Sequence, residues 1–138
     1  MTTFVFRRRL TVEYGHCDPA GVAFMSQLYQ YFDTSTWLLF EAALGLKAQD
    51  IMATLAIMPL VDVRADCRKP LRFGDAVEIA SRISEFRRSS FNVEHRITID
   101  GELAVEGGET RVWAVRDKDD GEKISSRPIP PEIVARFS

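Results

Sequence analysis

Apolar and polar positions alternate from the start of the chain. Between Phe4 and Tyr14, Phe4, Phe6, Leu10, Val12 and Tyr14 fall on one face, while Arg7, Arg9, Thr11 and Glu13 dominate the other. That period of two predicts a half-buried strand. The period then changes to that of a helix, with Leu28, Tyr31, Phe32, Ser35, Leu38, Leu39 and Ala42 on one side and nearly every position apolar from Trp37 onward. Such a helix should be buried over most of its surface. Ser26 is placed to cap its start and Gly45 to stop it, which predicts about 18 residues, roughly 27 Å.

Four more strands are predicted after this helix. Residues 47–59 read as an irregular or partly helical cover. Alternation resumes over 60–69 with Val61, Val63, Ala65 and Cys67 inward, ending at Pro70 and Phe73-Gly74-Asp75. Residues 76–86 and 91–100 form the next pair across the turn Arg87-Arg88-Ser89-Ser90, and the second of them carries His95 on its apolar face. Asp100-Gly101 predicts a two-residue hairpin into a strand from Leu103 to about Arg116, where Gly107-Gly108 signals a bulge or a close backbone approach. The tail reads as loop with one closing helical turn. A strand, one long helix and four strands on short turns predict an α+β domain: a five-stranded antiparallel sheet curled around a central helix.

Length and charge narrow the function classes. The 138 residues suit one domain spanning 1–138 with a core of its own. A formal net charge of -2 disfavours nucleic-acid binding, so an anionic ligand would have to be met by a local basic cluster. Cys17 and Cys67 stand alone, without metal-ligand spacing, and the N-terminal alternation leaves no apolar signal segment. We expect a cytoplasmic protein with no bound metal and no membrane span.

The candidate chemistry gathers before the long helix. Asp18-Pro19-Ala20-Gly21 fits a type I turn that presents Asp18 on a defined corner, next to the free backbone N–H groups of the helix start. Spacing alone is equally met by an Asp that merely forms the turn. His16 and Cys17 point to opposite faces of an extended segment, and His95 reads as a hydrogen-bonded core histidine. Arg87, Arg88 and Ser89 could hold a phosphate or simply be solvated. Asp33, a carboxylate within the apolar helix, either faces solvent or orients a ligand.

The string GHCDPAGVAFMSQLYQYFD, together with EFRRSSF at 85–91, resembles the hotdog-fold acyl-CoA thioesterases, and most closely their 4-hydroxybenzoyl-CoA thioesterase-like branch. The resemblance implies a hotdog fold and hydrolysis of an acyl-CoA thioester, with an aromatic acyl group. Asp18 would be the nucleophile or base, and the backbone N–H of Met25 would polarise the thioester carbonyl. Phe24, Asp33 and Met58 would contact the acyl group, with Asp33 reaching it across a subunit interface. Arg87, Arg88 and Ser89 would meet the nucleotide end of coenzyme A. No separate cofactor is implied, coenzyme A being part of the substrate, and the family's homotetramer, a dimer of dimers, is the expected assembly. A hotdog dehydratase would want a histidine on the helix, which is absent; a non-catalytic acyl-CoA binding module stays open.

Overall fold

The computed structural model describes residues 2–138. The elements run β1 (Phe6–Thr11), α1 (Met25–Leu44), α2 (Ala48–Thr54), β2 (Leu60–Cys67), β3 (Ala76–Phe86), β4 (Ser90–Ile99), β5 (Glu102–Val112), β6 (Ala114–Arg116), β7 (Ile124–Ser126) and α3 (Pro131–Ala135), with a single 3₁₀ turn at Tyr14–His16. Strands β1 to β5 form one sheet in the order β1-β3-β4-β5-β2, antiparallel at every pair, and α1 packs against its inner face. This is the predicted five-stranded sheet with one long helix. Asp100 and Gly101 take φ of 51° and 80°, both positive, as the two-residue hairpin between β4 and β5 requires.

The helix differs from its prediction at its start and in its burial. Ser26 does not cap it: Phe24, in extended conformation, occupies the cap position without a side-chain bond, and α1 runs 20 residues. The end is as expected, with Gly45 at φ 71° donating its N–H to Glu41 O. Burial follows a stripe through Leu28, Phe32, Thr36, Leu39, Phe40 and Ala43, whereas Ala42 is exposed. The sheet therefore covers one face of the helix within the chain.

Three strand predictions also change. Tyr14 belongs to the 3₁₀ turn and is exposed. On β2 only Val63 and Ala65 turn inward; Val61 and Cys67 are exposed, because β2 is an edge strand whose register slips between Leu60 and Asp62. The fifth strand breaks at Trp113, which buries its indole in the core and donates its backbone N–H to Ser89 O at 2.7 Å, so β6 leaves the sheet to pair with β7 in the tail read as loop. The closing helical turn is α3.

Gly107 and Gly108 mark a close approach and not a bulge, since the ladder runs through both without a shift. A Cβ on Gly107 would lie 2.4 Å from the Phe32 ring, and one on Gly108 would lie 2.8 Å from the Arg64 guanidinium. Helix and sheet approach closely at Gly107, whose neighbour Phe32 stacks parallel on His95 with centroids 4.6 Å apart. No helix among the described residues is long and apolar enough to cross a membrane.

Candidate active site

The turn before α1 is a closed loop held by its own backbone. Cys17 pairs with Ala23, Asp18 N–H donates to Val22 O at 2.9 Å, and Gly21 N–H returns to Asp18 O at 2.9 Å with Gly21 at φ 79°. Asp18 contributes its side chain to this closure: Oδ1 accepts from Ala20 N–H at 2.9 Å and from Val22 N–H at 3.2 Å. Among the described residues only Oδ1 is engaged, so Oδ2 keeps its lone pairs for an incoming group.

A second set of bonds seats this loop on the helix. Phe24 N–H donates to His16 O, and the Tyr31 hydroxyl donates to His16 Nδ1 at 2.8 Å. Glu13 N–H also donates to Nδ1, which makes that nitrogen the acceptor and turns Nε2 toward the Glu13 carboxylate at 3.2 Å. Burial, with the negative charge of Cys17 and Glu13 beside it, pushes the Tyr31 phenol up to about 12, against the smaller pull of Arg8. The phenol thus remains a donor throughout the neutral range. Arg8, on β1, ties the same helix face by bonds to Ser35 Oγ and Tyr31 O.

At the start of α1, the Met25 and Ser26 amides are among the orphan N–H groups of a helix N-terminus, and neither meets a protein acceptor among the described residues. A free carboxylate oxygen and unpaired amides at the positive end of a helix form a pair suited to attack on a polarised carbonyl. Phe24 and Met25 are both half-exposed here. The bridge of Cys17 with Ala23 folds the loop of Asp18 back onto the segment that enters α1 at Phe24 and Met25.

Asp33 and Met58 meet elsewhere, through residues that the sequence reading did not single out. Arg111 is buried to 3 % exposure of its side chain. Its Nη2 donates to Asp33 Oδ1 at 2.5 Å and to Glu109 Oε2 at 2.6 Å, and its Nη1 to Met58 O at 2.9 Å. Glu109 in turn accepts from His95 Nε2 at 2.8 Å and from the Thr36 hydroxyl, while His95 Nδ1 lies 2.7 Å from Ser81 Oγ. Burial alone would raise the Glu109 carboxyl; the hydrogen bonds and positive charge of His95 and Arg111 outweigh it and hold the group down at about 2. His95 is the hydrogen-bonded core histidine expected. Asp33, read as a lone carboxylate, is an ion-paired one with 57 % of its side chain exposed, and the Met58 side chain is packed in the core.

Period-two spacing on β5 could have found this network. Val105, Gly107, Glu109, Arg111 and Trp113 share one face, and its two apolar ends mark that face as inward.

The third group lies at the turn between β3 and β4. Arg87 is fully used inside the turn, bonding Glu85, Ser90 Oγ and Asn92 Oδ1 at 2.8–2.9 Å. Arg88 is exposed and makes no side-chain bond among the described residues, while its carbonyl and that of Ser89 receive Ile129 N–H and Trp113 N–H. Of the two arginines, the free one is Arg88.

Known proteins resemble this chain over nearly its full length. The family model described as the thioesterase-like superfamily matches residues 12–137. The 4-hydroxybenzoyl-CoA thioesterase of Pseudomonas sp. (strain CBS-3) is 25 % identical over 130 residues, covering 89 % of this chain and 90 % of the relative. A crystal structure of a 4-hydroxybenzoyl-CoA thioesterase mutant complexed with 4-hydroxybenzoyl-CoA superposes with a TM-score of 0.85 at 24 % identity, over 99 % of this chain and 100 % of the other. A gentisyl-coenzyme A thioesterase superposes with a TM-score of 0.83 at 26 % identity, over 96 % of this chain and 100 % of the other.

Proposed function

This chain belongs to the thioesterase-like superfamily, and from that premise we propose that it hydrolyses acyl-CoA thioesters to the free acid and coenzyme A, with aromatic acyl groups as its substrates. The observation that carries this reading is the Asp18 turn: a carboxylate with one free oxygen beside the unpaired amides of Met25 and Ser26. The thioester oxygen accepts from the Met25 amide, and Asp18 Oδ2 acts at the carbonyl carbon. Either it adds directly, the C–S bond breaks, coenzyme A leaves as thiolate and water opens the resulting anhydride, or it takes a proton from a water that adds instead. The ring preference is supported by Phe24, Met25 and Tyr29 near the helix start, and by the similarity to proteins named for hydroxybenzoyl and gentisyl thioesters. Asp33 accepts from a ring hydroxyl at the far end of the acyl group.

One chain does not complete such a site. Met25 and Asp33 are eight residues apart on α1, about 12 Å at 1.5 Å per residue, longer than an aryl acyl group. A second copy would supply Asp33 to the Asp18 of the first. The exposed edge of β2, with Leu60 and Val61 bare, supports an assembly of copies, which we take to be a homotetramer built as a dimer of dimers. The Asx bonds of Asp18 favour a second reading, in which the turn is structural and the protein binds acyl-CoA without turnover.

A thioester panel separates these readings. Thiol release from hydroxybenzoyl-, benzoyl-, hexanoyl- and palmitoyl-CoA is expected to give the highest kcat/KM for the hydroxybenzoyl substrate. No release from any of them supports the binder, and a palmitoyl optimum removes the aryl assignment.

Arg88 is the residue we assign to the nucleotide phosphates, since Arg87 is committed to its turn. Arg88→Ala is expected to raise KM for a full-length CoA thioester several-fold with little change in kcat, because a remote phosphate is held equally in ground and transition states. The rise should vanish on a thioester truncated to the pantetheine arm. An unchanged KM on the full-length substrate would take Arg88 out of the site.

A further inference from the structure

We propose that Arg111 is the specificity-determining positioning residue of the acyl end: by fixing Asp33 Oδ1 it turns Asp33 into an acceptor of set direction, selective for an acyl group with a neutral hydrogen-bond donor at its distal end. The inference rests on the acyl-CoA reading of the site.

Rigidity is the first argument. A carboxylate more than half exposed on a helix surface ordinarily samples several rotamers and gives a donor little directional preference. Here its partner cannot move. The Arg111 guanidinium is 3 % exposed and anchored on Met58 O and Glu109, and Glu109 is itself held by Thr36 and by His95, which is fixed on Ser81 and stacked on Phe32. A planar fork clamped at both Nη atoms directs its hydrogen bonds, which a flexible ammonium would not. Arg111 spends its donors unevenly: its Nε has no partner among the described residues, while Nη2 serves two carboxylates.

Charge is the second argument. The fully buried Glu109 carboxylate draws on the same Nη2 as Asp33, so Arg111 divides its charge between two carboxylates. Asp33 is thus pinned through Oδ1 by a shared cation, and its Oδ2 accepts no hydrogen bond among the described residues. Such an oxygen is a strong acceptor for a phenolic hydroxyl, and bonds to charged groups are worth about 1.5–3 kcal/mol, on the order of ten- to a hundred-fold in affinity. An unsubstituted ring leaves that oxygen to water.

The test is binding of two inert thioethers, 4-hydroxyphenacyl-CoA and phenacyl-CoA, by titration calorimetry on the intact protein, with thiol release from 4-hydroxybenzoyl-CoA followed in parallel. Wild type should bind the hydroxylated ligand about ten-fold or more tightly. Arg111→Met with Glu109→Gln removes both buried charges together, so that neither is left unpaired, and should bring the ratio of the two Kd values close to one. Arg111→Lys, which keeps the charge and loses the fork, should give an intermediate ratio, and it stands in if the double variant does not fold. A wild-type ratio near one overturns the proposal, as does a wild-type ratio retained in a folded double variant or in Arg111→Lys. Discrimination in binding without thiol release counts against hydrolysis alone and leaves the role of Arg111 supported.

Discussion

Asp18→Asn is expected to fold like the wild type and to hydrolyse acyl-CoA about a hundred- to ten-thousand-fold more slowly, the range found for loss of a positioned acid–base group. The asparagine oxygen can still accept from Ala20 N–H and Val22 N–H, so the closed loop of Asp18 to Val22 survives. What disappears is Oδ2, replaced by an amide nitrogen that can neither attack a carbonyl nor take a proton. The change therefore separates the two roles of one residue. Thermal melting and circular dichroism report the loop's structural role, and single-turnover thiol release reports the chemical one. Wild-type turnover in a folded Asp18→Asn would assign the aspartate to the turn alone. Cys17→Ala is the matching control; its thiol lies 3.5 Å from Glu13 O within the 3₁₀ turn, and we expect its removal to leave turnover unchanged.

The largest effect on stability is expected at Arg111. Arg111→Ala leaves Glu109 as a buried carboxylate with only His95 and Thr36 to answer it, and breaking a buried pair in this way costs about 3–5 kcal/mol. The same network sets the acid limit of the fold. Glu109 titrates near 2 in the folded chain, against an ordinary value of 4.5. A depressed folded-state value means that the stabilisation is fully present above about 4.5 and is lost as pH falls toward 2; at about 1.4 kcal/mol per unit the gap is on the order of 3 kcal/mol. Denaturant midpoints measured from pH 6 down to 2 should therefore fall more steeply for wild type than for the double variant Arg111→Met with Glu109→Gln. Parallel pH profiles for the two proteins would show that Glu109 does not carry the acid sensitivity, and an Arg111→Ala as stable as wild type would deny the network its structural weight.

The contrast between Asp18 and Arg111 also shows what was legible in the chain. The Asp18 turn is local chemistry: Asp, Pro and Gly at defined offsets dictate the corner, and the helix that follows dictates free amides beside it. The sheet was legible for the same reason, since a period of two and an Asp-Gly hairpin are short-range signals. Ser26 failed as a cap because the chain enters α1 through the bridge of Cys17 with Ala23, which satisfies the approach with backbone and lets the helix begin earlier. Glu109 and Arg111 went unread because charged residues on a strand default to the solvent face, and only their partners on two other elements make the inward placement affordable. Those partners, His95, Thr36 and Asp33, lie between 14 and 78 positions away. Only the alternation of β5 itself, with Val105 and Gly107 before them and Trp113 after, pointed inward. The division of labour between Arg87 and Arg88 was hidden although its partners are near in sequence, since it depends on how Asn92 and Glu85 close around one side chain and not the other.

The contact of Gly107 with Phe32 carries a consequence for how this sequence can vary. The Phe32 ring and the Arg64 backbone carbonyl, 2.4 and 2.7 Å from where a Cβ at 107 would lie, together occupy the space that any side chain there would need. A methyl at 107 collides with the ring, while a smaller residue at 32 leaves a void that glycine cannot fill and deprives the His95 imidazole of its stacking partner. Position 107 therefore stays glycine whatever stands at 32, and variation at this contact is confined to the helix side.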